Sequence, residues 1–205
     1  MLSPDQTNQA FEMDKIVWKG DSLHIEIPSL NFVYKGVLSE ENILKGAFFQ
    51  NGMTFIMNLT QDVFVSNRPQ EPKPPYPYTT EEVTFPNKKD KITLSGTFTA
   101  PSIAGKKYPA VILITGSGPQ NRNEELFEHK PFLVLADHLT RNGITVLRFD
   151  DRGVGKSEGT YAAASLLDHA EDAKAAVEYL NYRKEIDAQK VGAIGHSMGG
   201  TICFI

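Results

Sequence analysis

The chain has 205 residues, with 21 Lys plus Arg against 25 Asp plus Glu and a formal net charge of −4. Hydrophobic residues make up 40% and charged residues 22%, enough to bury a core, which argues against wholesale disorder. No basic surplus exists to neutralise phosphates, so nucleic acid is not the expected partner, and no apolar run reaches the roughly 18 residues of a membrane span. The opening MLSPDQTNQAFEMDK lacks the basic stretch and apolar core of a signal peptide, which places the chain in the cytoplasm on sequence grounds. Residues 14–66 read as short strands. Leu23, Ile25 and Ile27 alternate with Ser22, His24 and Glu26, the period of a half-buried strand, and similar segments follow at 32–38, 43–49 and 53–59. Turn formers separate them, above all Asn51-Gly52, a pair that tolerates φ > 0 at both positions and favours a hairpin. The first 66 residues are therefore expected to form a small antiparallel β domain without catalytic clusters.

Residues 67–78, NRPQEPKPPYPY, hold five prolines and read as a linker, because proline cannot donate ladder hydrogen bonds. Beyond it the texture changes. Strands are expected at 81–85 and 92–99, and then Ala110–Ile114 forms a continuous apolar run of the kind covered on both faces. A helix is expected over 131–142, with Pro131 at its start and Gly143 past its end. A second buried strand follows at 144–149. Ser165 and Asp168 form a capping box, opening a helix whose buried side carries Leu166, Ala170, Ala173, Val177 and Leu180. A third buried strand, Val191–Gly195, completes an alternation that implies crossovers and a mostly parallel sheet, an α/β architecture for residues 79–205.

That third strand runs into Gly195-His196-Ser197-Met198-Gly199, the G-x-S-x-G pattern in the strand-to-helix setting that its mechanism requires. The serine of such a turn is exposed, and a Cβ at either glycine would crowd it. The Gly-rich Thr115-Gly116-Ser117-Gly118 follows the first buried strand, where an oxyanion hole draws its second backbone donor. Met198 supplies one N–H, and Ser117 the other, with Gly118 as the alternative. Gly155-Lys156-Ser157 suggests a phosphate loop, but position 150 is Asp where that loop needs Gly, and Asp150 and Asp151 would repel a triphosphate.

Three motifs together, ITGSGPQNRNEE, LRFDDRGVGKSEG and AIGHSMGG, resemble those of the α/β-hydrolase superfamily, and most of all its bacterial serine esterases that carry an amino-terminal β domain. The resemblance covers about residues 79–205. It implies that Ser197 is the nucleophile, that the Ser117 and Met198 loops form the oxyanion hole, and that Arg152 is tied to neighbouring carboxylates in a tight turn. It also implies that related enzymes are often exported. Where many members place His-Gly, this chain has Thr115-Gly116.

The triad of this fold runs Ser, acid, His along the chain. Only eight residues follow Ser197, so the expected reading is the amino-terminal portion of a longer enzyme whose acid and base lie beyond Ile205. Among the five histidines, His196 should face away from Ser197, because neighbouring strand residues alternate in direction; His129 is the one with plausible proximity. The expected activity is carboxylic-ester hydrolysis through an acyl-enzyme, with a small-molecule ester as substrate, no cofactor and no metal. A peptidase or thioesterase of the same fold, or a non-catalytic binding module, are the alternatives.

Overall fold

A computed structural model describes residues 13–60, 68–102, 105–126 and 128–205. The opening residues read above for an export signal lie outside the described residues, as do the end of the expected β domain and Asn67 of the expected linker. The chain divides into two compact units, Met1–Asn67 and Arg68–Ile205.

The first unit is a five-stranded antiparallel meander: β1 (Lys15–Lys19), β2 (Ser22–Ile27), β3 (Phe32–Leu38), β4 (Leu44–Gln50) and β5 (Met53–Ile56), in that spatial order. The alternation in β2 is what selects its face: Ile25 and Ile27 are buried and meet Tyr34 of β3, packed with Phe32, Leu44 and Phe48. Asn51 and Gly52 both adopt positive φ, 49° and 79°, closing the β4–β5 hairpin. β5 stops at Ile56, earlier than the expected 59, and Leu59 instead makes an isolated bridge to Leu44.

In the second unit, residues 68–77 contain neither strand nor helix, and Arg68 pairs with Glu128 at 2.7 Å. Then come β6 (Tyr78–Asn87), β7 (Ile92–Pro101), β8 (Tyr108–Ile114), α1 (Pro131–Arg141), β9 (Thr145–Phe149), α2 (Leu166–Tyr182), β10 (Ile186–Gly195) and α3 (Met198–Ile202). The sheet order is β10-β8-β9-β7-β6. Alternate residues of β8 serve opposite faces. Ala110, Ile112 and Ile114 join the cluster that includes Ala173, Ala176, Leu180 and Ile202, while Leu113 joins Phe132, Ala136 and Val146 under α1. That two-sided burial is why β8 reads as an unbroken apolar run, and each fully buried Leu or Phe contributes about 1.5–3 kcal/mol. The capping box at Ser165 is present, with the Ser165 N–H donating to Asp168 Oδ2 at 2.8 Å and the Asp168 N–H donating to Ser165 Oγ at 3.4 Å.

Three expectations are corrected here. The sheet is mixed, not mostly parallel: β10–β8 and β8–β9 are parallel, whereas β7–β9 and β6–β7 are antiparallel, because the β6–β7 hairpin joins the sheet through β9. The Val191–Gly195 strand is not covered on both faces. It forms one edge of the sheet, and Gly192 and Ala193 are exposed. Leu166 is 37% exposed, since α2 reaches its packed stretch only at His169 and the residues after it. No helix among the described residues is long and apolar enough to cross a membrane.

Candidate active site

Because β8, β9 and β10 run parallel, their carboxyl ends lie on one side of the sheet, and the loops that leave them meet there. Ser197 sits between β10 and α3 with φ 51° and ψ −115°, a conformation sparsely populated by L-residues. It occupies the N-cap position, where a serine hydroxyl ordinarily accepts a bond from the helix, yet it makes no such bond. The residue is exposed. Two glycines make this turn possible by close approach. A Cβ on Gly195 would lie 2.1 Å from Gly199 C and O, and one on Gly199 would lie 2.2 Å from Ile114 O. Those contacts are backbone atoms, which cannot rotate away.

The Ser117 loop lies against this turn: a Cβ built on Gly116 would be 3.5 Å from Ser197 Cβ and 3.1 Å from His196 Nδ1. Its N–H groups are nearly all engaged. Gly116 donates to Glu124 Oε1 at 2.7 Å, Gly118 donates to the Tyr161 hydroxyl at 2.8 Å, and Gln120 donates to Asp151 Oδ2 at 2.9 Å. The Thr115 hydroxyl donates to Asp151 Oδ1 at 2.7 Å. The Ser117 N–H donates to nothing among the described residues, and neither does that of Met198, the first residue of α3. Gly118, weighed as the alternative donor, has its N–H directed at Tyr161 instead.

Charged groups beneath the loop are arranged in two sets. Asp150 receives the Arg122 guanidinium at 2.7 Å and the Arg122 N–H at 2.9 Å; burial works to raise its pKa, but these bonds outweigh it and hold it below the ordinary value. Arg122 also reaches Glu82, Ser95 and Thr97, which bolts the loop to β6 and β7. Asp151 is different. Burial pushes it up to about 6, and Asp172 and Asp150 push in the same direction, against the bonds from Thr115 and Gln120. Asp151, His169 and Asp172 line a small cavity together with Met198 and Ile202, and burial holds His169 below the ordinary imidazole value. Arg152 is paired with Asp172 and Asp90, each at 2.7 Å. Ser157, in the stretch that suggested a phosphate loop, ties β7 to β9: its hydroxyl donates to Asp150 O and accepts from the Ser95 N–H.

The histidines are spread over the chain. His196 Nδ1 lies 2.7 Å from Glu124 Oε1. His129 is exposed and joined to Leu126 through its backbone, His138 lies on α1, His169 is buried against Tyr161, and His24 pairs with Glu26 in the first unit. None is hydrogen-bonded to Ser197. Glu124, Tyr161 and the loop-holding role of Asp151 escaped the sequence reading. The acidic NRNEE run directly after the Gly-rich loop was the available signal for Glu124.

Parts of the chain resemble known proteins. A family model described as serine aminopeptidase, S33, matches residues 129–205. Esterase EstD of Thermotoga maritima is 35% identical over 109 residues, covering 53% of this chain and 26% of that protein. The uncharacterized protein YfhR of Escherichia coli (strain K12) is 33% identical over 126 residues, covering 62% of this chain and 41% of that protein. This chain therefore spans less than half the length of either relative. Among solved structures, the α/β hydrolase GrgF from Penicillium sp. sh18 matches with a TM-score of 0.50 at 24% identity, over 60% of this chain and 39% of that one. The hypothetical protein PA2218 from Pseudomonas aeruginosa matches at 0.52 and 24%, over 65% and 41%. Residues 129–205 are thus similar in sequence to the serine aminopeptidase S33 family, and the chain shares its fold with the α/β hydrolase GrgF.

Proposed function

We propose that the chain supplies the nucleophile and the oxyanion donors of a serine hydrolase that cleaves carboxylic esters. The observation that carries the reading is the Ser197 hydroxyl, held at φ 51° and bound to no helix N–H, beside two unengaged N–H groups. In the proposed reaction, Ser197 Oγ attacks the ester carbonyl carbon while its proton passes to a histidine base. The carbonyl oxygen, now negative, is held by the Ser117 and Met198 N–H groups. The tetrahedral adduct collapses, the alcohol departs with the proton from the base, and water hydrolyses the acyl-enzyme in the reverse sense. The reading assigns the base to none of the five histidines of these 205 residues, which alone should give no multiple-turnover hydrolysis.

The resemblance of residues 129–205 to a serine aminopeptidase model favours one second reading, in which the same serine opens a peptide bond. The test uses the protein expressed from its full reading frame. Fluorophosphonate labelling that disappears in Ser197→Ala, with turnover of p-nitrophenyl esters but not of aminoacyl anilides, supports the esterase. The opposite preference supports the peptidase, and a folded protein that resists labelling returns the chain to a binding role.

A further inference from the structure

The turn Asn121–Glu124 closes the loop after β8, and its residues reach several separate anchors. Arg122 is held by Asp150, Glu82, Ser95 and Thr97, and Asn123 accepts a bond from Arg148. Those fixtures leave Glu124 at φ 50°, a conformation that non-glycine residues retain only where the surroundings over-determine it. Glu124 is only 7% exposed, and a buried carboxylate requires hydrogen-bond donors. It finds two on a single oxygen. Oε1 accepts the Gly116 N–H at 2.7 Å and lies 2.7 Å from His196 Nδ1, which donates to it in the Nδ1–H tautomer.

Each partner lies next to the proposed machinery. Gly116 immediately precedes Ser117, the proposed loop donor. His196 immediately precedes Ser197 and then Met198, the proposed nucleophile and the second donor. We propose that Glu124 is a positioning residue for acyl transfer, its one oxygen clasping the oxyanion loop to the nucleophile turn. The proposal rests on the serine-hydrolase reading above. Glu124 makes no hydrogen bond to Ser197 and acts through its two partners. It sets the separation between two N–H groups that act on one developing charge, and such separations matter at the level of an ångström. The donors it positions act on charge that develops only in the transition state, so its loss should disturb turnover more than initial binding.

The experiment compares variants of the full-reading-frame protein on p-nitrophenyl acetate. Glu124→Ala should lower kcat about tenfold to hundredfold, the scale of a misplaced oxyanion donor, while KM changes less than about twofold. Affinity for a phenylboronic acid, which forms a tetrahedral serine adduct, should fall in the same proportion as kcat. Glu124→Gln keeps an oxygen able to accept both N–H groups and should restore kcat to within about threefold of the parent. His196→Ala removes one arm of the clasp at a largely exposed side chain, so it should fold and lower kcat by a smaller factor. If Glu124→Ala does not fold, Glu124→Gln and His196→Ala decide the matter. Parental kcat in folded Glu124→Ala or in His196→Ala, a loss confined to KM, or an equal loss in Glu124→Gln overturns the clasp. Turnover that survives in Ser197→Ala overturns the serine-hydrolase reading and the clasp with it, whereas loss in Ser197→Ala beside parental kcat in Glu124→Ala overturns the clasp alone.

Discussion

Replacing Gly199 by alanine tests whether the nucleophile turn depends on backbone-to-backbone approach. The new Cβ would stand 2.2 Å from Ile114 O and 2.6 Å from Thr115 O, at the end of β8. A carbon–oxygen contact settles at about 3.3 Å or more, so roughly 1 Å must be found. Neither side yields easily. β8 is paired on both edges, with β9 and β10, and α3 is tied to β10 through Ser197. Overpacking costs about 1–3 kcal/mol where side chains can adjust, and this site belongs at the upper end because the obstructing atoms are backbone. For a domain of this size a loss of about 3 kcal/mol lowers the melting temperature by roughly 6–12 °C. A displacement of about 1 Å between Ser197 and the Ser117 loop should also cost about 100-fold in ester turnover. Gly192→Ala is the control: on the neighbouring strand its Cβ would meet nothing nearer than Val111 Cγ1 at 3.9 Å. That variant should melt within a few degrees of the parent, or slightly above it, since alanine restricts the unfolded chain. Thermal melts and steady-state turnover of both variants decide the issue. Equal melting temperatures with parental turnover in Gly199→Ala would refute the close-packing argument.

Asp151 makes stability fall as pH rises. Its folded-state pKa, about 6, lies above the ordinary 3.8, so the folded protein holds the proton longer, and the stabilisation present below about pH 4 declines by roughly 3 kcal/mol on the way to pH 6. Urea unfolding of parent and Asp151→Asn from pH 4 to 7 should give profiles that diverge across that window; parallel profiles would show that Asp151 titrates normally. Ser117→Pro deletes the loop donor without touching Ser197 and should lower kcat about 100-fold in a protein that still takes up fluorophosphonate. Unchanged turnover would move the donor role elsewhere on the loop. Arg152→Met leaves Asp172, 2% exposed, facing only the Asn87 amide, and should destabilise by about 3–5 kcal/mol in chemical denaturation. A loss below about 1 kcal/mol would mean that the buried aspartate is compensated otherwise.

Features governed by short stretches of chain were readable from the sequence. The Ser165–Asp168 capping box depends on residues three apart, and the Asn51-Gly52 turn on two adjacent ones. Ala110–Ile114 declared its two-sided burial through unbroken apolarity. Val191–Gly195 looks equally apolar, yet its exposure is decided by which strands lie beside it, a property of the sheet and not of those five residues. The antiparallel pairing of β7 with β9 is hidden for the same reason, since Gly96 and Phe149 are brought together across more than fifty residues. Within the site, the G-x-S-x-G pattern and the Gly-rich loop could be located because each is contiguous. Their fastenings could not. Gly118 meets Tyr161 over 43 positions, Gln120 meets Asp151 over 31, and Glu124 meets His196 over 72. A hydrogen bond between distant residues leaves no periodicity in the chain.

Those fastenings also shape how the loop can change by descent. Asp151, Glu124 and Tyr161 hold different residues of one short segment, Asp151 two of them and the others one each. Substitutions at these three positions should therefore couple, a second loss disturbing the segment more than the first, because residues acting on a shared element do not contribute additively. A lineage could exchange one fastening for another where the new one arises before the old is lost. The backbone path past Ser117 would then outlast the identity of the side chains that fix it.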